Sequence, residues 1–416
     1  MGPIALFDKS FLQSLSVDES VFFDHFFFPV ICPFFFVETL GDLEKAVRQG
    51  RTPEQEVGII AAKVPEMSGA PVAHHARIAL ASLLGNNLPM DGRVPVASGT
   101  PVRFEGKSGV LHDLPPEAEA FNRWQKGEFL HVERYYARAW RQELANTDLT
   151  AVAAGMKVMG IDSEKCRSLD DAKQIADKFL QRTDIVPDQI KLAFILLGAP
   201  PQYEKTAVEN WRTQGSRPLL AYAPYAAYIV SLELFFQIAL AADLIGTSRA
   251  SNRADVAYLY YLPFCQVFVS SDKLHKRCAP HFLRLDQSFV WGEDLKAALR
   301  GLMNHYSKMP EEQKEEGLMR FAPRPPVGDE GGLVAQLWDR HLNPQWRSRE
   351  GLGPPLDPDE DKKILEHLKK FSEAPPIPPS EVDFDPIDAE MVQVQRRIHK
   401  RKGSWWQLPK NLKEEE

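Results

Sequence analysis

The chain has 416 residues, 44% of them apolar and 10% aromatic, enough for one large domain or two or three smaller ones with real cores. Its formal net charge of −7 excludes a surface that binds nucleic acid over its whole extent, while leaving room for a local basic groove. Cys32, Cys166, Cys265 and Cys278 have no zinc-finger spacing, which predicts buried free thiols in a reducing, cytoplasmic setting rather than disulfides or a structural zinc site.

The opening residues, MGPIALFDKS, have no basic stretch ahead of their short apolar run and do not read as a signal peptide. Ile4–Phe7 predicts a short buried strand ended by Asp8, with a helix from Ser10 to Leu15. Phe26–Val37 predicts a second apolar element leading into a helix from Glu38 to about Arg48. Residues 51–214 read as a mostly helical insertion. Within it, Ala76–Leu84, Leu130–Leu144, Asp170–Phe179 and Asp188–Leu197 carry helical spacing, and Gly92–His112 predicts a hairpin with turns at Glu105-Gly106-Lys107 and Ser108-Gly109. Leu219–Ile245 is long enough to span a bilayer but contains Pro224, Glu233, Gln237 and Asp243, so a buried central helix is expected, with no membrane partner. An apolar run from Cys265 to Ser271 predicts a strand, followed by a last strand at Phe289–Trp291 and a helix over Glu293–Tyr306. Residues 311–416 form a Pro-rich extension with predicted helices at Gly332–Leu342 and Asp359–Phe371. Its basic, Trp-bearing end suits docking on the protein's own surface, a protein partner or nucleic acid.

Four acids share one setting. Asp8 follows IALF, Glu38 follows PFFFV, Asp255 lies at the start of a helical run, and Asp272 follows VFVSS. In a sheet flanked by helices, the carboxyl ends of strands converge on one rim, where ligands bind. Carboxylates brought together there repel one another and call for a hard cation, and an oxygen-only ligand set selects Mg²⁺ or Mn²⁺. Such ions near phosphate support an in-line displacement. Plainer roles exist for each residue: Asp8, Asp255 and Asp272 as helix N-caps, Glu38 as a first-turn acid. Asp42, one helical turn beyond Glu38, competes for its role. Ser10 and Ser270 could orient carboxylates or water. Lys273, His275, Lys276 and Arg277 could meet substrate phosphates or form a solvated basic turn. His74-His75 reads as structural.

These residues resemble the PIN-domain nucleases. Asp8-Lys9-Ser10 after the first strand is similar to the family's opening acid with a hydroxyl two positions on. Glu38 is similar to its second acid. Asp255, and Asp272 behind Ser270-Ser271, are similar to its third and fourth. The resemblance covers about the first 50 residues and the region from Leu219 to Tyr306. It implies a three-layer α/β/α domain with a central, mainly parallel sheet, assembled from residues 1–50 and 215–310. It also implies Mg²⁺- or Mn²⁺-dependent phosphodiester hydrolysis by Asp8, Glu38, Asp255 and Asp272, with RNA as the expected substrate. A nuclease of this kind must restrain its own activity, which the insertion and Pro-rich tail could do, so a toxin or defence role is one setting. Two other readings stay open: a non-catalytic PIN-like scaffold acting through its insertion and tail, and a metal-dependent phosphatase, for which Asp8-Lys9-Ser10 lacks a second Asp.

Overall fold

A computed structural model describes residues 2–45, 50–96, 99–112, 115–162, 164–328, 331–348, 366–367, 369–382 and 399–411. Five strands form one sheet: β1 (Ile4–Phe7), β2 (Phe28–Ile31), β3 (Ala70–Pro71), β6 (Val267–Ser270) and β7 (Ser288–Trp291), with β4 (Thr100–Phe104) and β5 (Lys107–Leu111) set apart as a hairpin. The sheet order is β3-β2-β1-β6-β7, and every pairing is parallel. Helices flank the sheet, giving the expected α/β class in three layers.

Parallel strands covered on both faces carry continuous apolar sequence, and IALF and VFVS do so. Ala5, Leu6, Phe7, Val267, Phe268 and Val269 are all fully buried. Phe7 meets Phe23 and Phe35 edge-on, with ring centroids 5.5 and 5.1 Å away. The register pairs Phe7 with Val269, so β1 and β6 end side by side. Chain order reverses between these two strands, which places a ligand crevice at their carboxyl ends.

Two helix boundaries differ from expectation. Phe26–Val37 is not one element: β2 ends at Ile31, and Pro33 starts a helix over Pro33–Leu40. Proline suits a first helical position because its missing N–H would have no partner there. Glu38 therefore sits near the end of that helix, not its start; the expected continuation through Arg48 reaches residues outside those described. Likewise Leu219–Ile245 divides at Pro224 into Leu219–Tyr222 and Pro224–Ala241, because the residue before a proline is pushed out of helical geometry, as Ala223 is at φ −134°, ψ 69°. Pro224–Ala241 is apolar and long enough to cross a membrane, and 78% of it is buried in the protein. It packs on helices Leu149–Val158, Leu169–Gln181 and His75–Leu83.

The segment read as an insertion contributes to the sheet itself: β3 pairs with β2 through Val30 and Ala70. Its hairpin turns at Glu105 and Gly106, both at positive φ (49° and 78°), the geometry two-residue hairpin loops require. Ser108-Gly109, expected as a second turn, lies within β5 instead.

At the other end of the chain, β8 (Arg401–Lys402) and β9 (Trp405–Trp406) form a small antiparallel hairpin. It docks on helix Val17–Phe26. Trp405 is buried with its ring edge-on to Phe22, centroids 4.8 Å apart, the Ser404 N–H donates to Asp18 Oδ1 at 2.8 Å, and buried Lys402 donates to the Val64 carbonyl at 2.7 Å. The Trp-bearing end thus contributes to the core. Trp405→Ala is expected to cost about 3 kcal/mol in urea unfolding, and an unchanged midpoint would mean the hairpin is only loosely attached. The helix expected over Asp359–Phe371 lies largely outside the described residues.

Candidate functional site

Asp8 leaves β1 directly into helix Lys9–Ser14 and caps it, Oδ1 accepting the Phe11 N–H at 2.9 Å. Oδ2 accepts two hydroxyls, from Ser10 at 2.5 Å and Ser270 at 2.8 Å. Asp8 is only 3% exposed. Burial alone would favour its neutral form; the neighbouring His275, Ser10 and the Phe11 N–H outweigh burial and hold it below the usual carboxylate range.

Ser270 ends β6 beside Asp8. Its oxygen accepts the Asp272 N–H at 2.9 Å and lies 2.7 Å from His275 Nδ1, while His275 Nε2 lies 2.5 Å from the Asp255 carbonyl. Proton accounting fixes the state of this chain. The Asp255 carbonyl can only accept, so Nε2 carries a hydrogen. Asp8 is held ionised and can only accept, so the Ser270 hydroxyl gives its proton to Asp8 and Nδ1 donates to Ser270. His275 is then an imidazolium, 3.5 Å from Asp8 Oδ2. Burial opposes its charge, but Asp8 and the Asp255 carbonyl prevail and raise it to about 9. This ring ties the acid after β1 to the segment bearing Asp255.

Asp255 belongs to helix Asn252–Ala257, and Asp272 caps helix Lys273–Cys278 by accepting the Leu274 N–H at 2.6 Å. Asp255 Oδ2 is buried without a hydrogen-bond partner; the Arg249 guanidinium is 3.8 Å away. Burial pushes the Asp255 carboxyl up, the charges of Asp272 and Glu38 add to it, and His275 and Arg249 oppose; the result is about 7. Glu38 Oε2 accepts the Tyr258 hydroxyl at 2.7 Å, with Lys9 Nζ 3.8 Å from Oε1.

Asp8, Glu38, Asp255 and Asp272 thus line one cavity of about 460 Å³, together with Ser10, His275 and Tyr258. Asp42 does not line it. It is buried under Lys9 and Lys45, each at 2.6 Å, and Arg141 at 3.2 Å, so its charge is already matched. Glu38, not Asp42, is the second acid of the cavity. The basic run after Asp272 disperses: Lys273 is exposed and off the cavity, Lys276 lies over the Trp291 ring, Arg277 donates to the Leu244 carbonyl, and His275 is buried. The basic residues that do line the cavity are Lys9, Lys45, Arg141 and Arg249. None of these was legible as a site residue in sequence, nor were Tyr258 and the buried role of His275. The one available signal was Lys9, a cation adjoining the first acid.

Among the described residues no three His, Cys, Asp or Glu side chains are grouped closely enough to hold a metal together. The acids share a cavity without forming a closed chelate. Mg²⁺ commonly keeps several waters and takes one or two carboxylates plus substrate phosphate, and the unpartnered, partly neutralised Asp255 carboxyl fits that donor set. The chain matches no known protein-family model, no curated protein and no solved structure with which it was compared.

Proposed function

We propose that this chain is a Mg²⁺- or Mn²⁺-dependent nuclease of PIN-like type, hydrolysing phosphodiester bonds in RNA. One observation carries the reading: four acids far apart in sequence line a single cavity beside the carboxyl ends of β1 and β6, the two strands at the switch in chain order. Asp255 would hold the cation, with substrate phosphate and water filling its other positions; Asp272 and Glu38 add negative charge to the same cavity, and Asp8 is fixed behind them by Ser10 and Ser270. The cation would offset the carboxylate charge, polarise the phosphate and ease ionisation of a water. Lys45, Arg141 and Arg249 supply positive charge for the strand's other phosphates. Tyr258 orients Glu38 through its hydroxyl.

A second reading, a PIN-like scaffold without catalysis, draws on the engagement of both Asp8 oxygens within the protein. Cleavage of labelled single-stranded RNA and DNA with Mn²⁺ separates the two. The nuclease reading expects metal-dependent cleavage by the wild type and at least a hundredfold loss in Asp272→Asn, the scale on which single charge-stabilising groups act. Cleavage that persists in EDTA or in the variant would overturn it, and no cleavage of either strand would favour the scaffold.

A further inference from the structure

We propose that helix His131–Asn146 presents Trp140 and Tyr136 as a stacking platform for the bases of a single-stranded RNA whose backbone enters the acidic cavity. This rests on the nuclease reading and adds the feature that selects unpaired over paired substrate. The helix comes from outside the sheet, yet Trp140, Arg141 and Leu144 form part of the cavity wall. It is anchored there. Arg141 Nε donates to the Gly41 carbonyl at 2.8 Å and Nη2 to Asp42 at 3.2 Å, while Arg134 pairs with Glu54 at 2.7 Å.

Gly41 is a second, independent sign that the indole is built in. Its φ of −58° is open to any residue, so backbone geometry does not ask for glycine. A Cβ at Gly41 would stand 2.8 Å from Trp140 Cδ1, so the missing side chain makes room for the ring. Tyr136 lies one helical turn before Trp140 on the same side, 54% exposed, and Val132 one turn further, 62% exposed. Half-buried Trp140 on the cavity wall and exposed Tyr136 one turn away therefore share one helix face, and apolar surface next to a site marks binding.

The occupant follows from what borders this face. Lys45 and Arg249, with side chains 45% and 66% exposed, put positive charge on the same cavity. A cationic track for phosphates beside aromatic faces for bases is the combination that holds single strands without reading sequence. A duplex keeps its base faces stacked internally and cannot offer them to Trp140.

The test is binding in EDTA, followed by fluorescence anisotropy, of three labelled probes: an unpaired RNA oligonucleotide, its duplex, and an abasic strand with the same backbone. The wild type should bind the unpaired strand best. Trp140→Leu should weaken that binding about tenfold and Tyr136→Ala by a smaller factor, with abasic binding unchanged in both. The exposed Tyr136 site keeps the test sound should Trp140→Leu fold poorly. Equal binding of all three probes, variants that bind like wild type, or no binding by wild type would overturn the proposal. Because no metal is present, the two readings can fail separately. Base-dependent binding by a protein that never cleaves removes the nuclease reading alone, and cleavage without Trp140-dependent binding removes the platform alone.

Discussion

Asp255→Asn is expected to make the metal-free protein more stable above neutral pH while removing its metal-dependent activity. The Asp255 carboxyl is raised from 3.8 to about 7 by burial, with Asp272 and Glu38 adding to the effect. A raised folded value means the folded state holds its proton more tightly than the unfolded state. That contribution is fully present below about pH 4 and is lost as pH climbs to about 7. Ionised Asp255 then costs on the order of 4 kcal/mol, which an amide of the same shape would not incur. Urea unfolding at about pH 5 and about pH 8 should show the variant's advantage growing with pH. A variant less stable than wild type at the higher pH would mean the carboxylate has a partner in the folded protein and is not a site awaiting a cation.

The second large effect is at His275. Removing the ring in His275→Ala leaves Asp8 buried without its cation, a change of about 3–5 kcal/mol. It also alters a different part of the pH profile. His275 is raised from 6.5 to about 9, so its stabilisation is complete below 6.5 and disappears as pH rises through about 9. Wild type should therefore lose stability in two stages, one below neutrality that Asp255→Asn abolishes and one above it that His275→Ala abolishes. An alkaline stage of the same size in His275→Ala would show that the imidazolium is not the titrating group.

The acids were legible in sequence because each of three ends an apolar strand or helix, and an apolar run closed by a carboxylate is a local pattern. β1 and β6 were legible for the same reason, and β7 as an apolar run ahead of Gly292. β2 was hidden because Phe26–Val37 is apolar without periodicity, and only Pro33 marks where strand becomes helix. β3, two residues long, carries no pattern; it exists because Val30 offers an edge to pair with. His275 looked like part of a solvated basic turn, since Lys273, Lys276 and Arg277 surround it in sequence. Its burial comes from Ser270 and the Asp255 carbonyl closing on the ring from two separate segments. The choice between Glu38 and Asp42 was likewise beyond local reading. It turns on Lys9, Lys45 and Arg141 gathering on Asp42, the last of them nearly a hundred positions away in the chain. Local pattern identifies where charge sits; long-range partners decide which charge is free to act.

The most direct measurement is Mn²⁺ binding followed by electron paramagnetic resonance as the ion is titrated into wild type and Asp255→Asn at the same pH. Wild type should remove the free-ion signal with about one or two Mn²⁺ per chain, as a one-metal or two-metal phosphodiesterase centre would, and Asp255→Asn should lose this binding while remaining folded. Mn²⁺ bound equally by both proteins, or by neither, would contradict a cation site at Asp255.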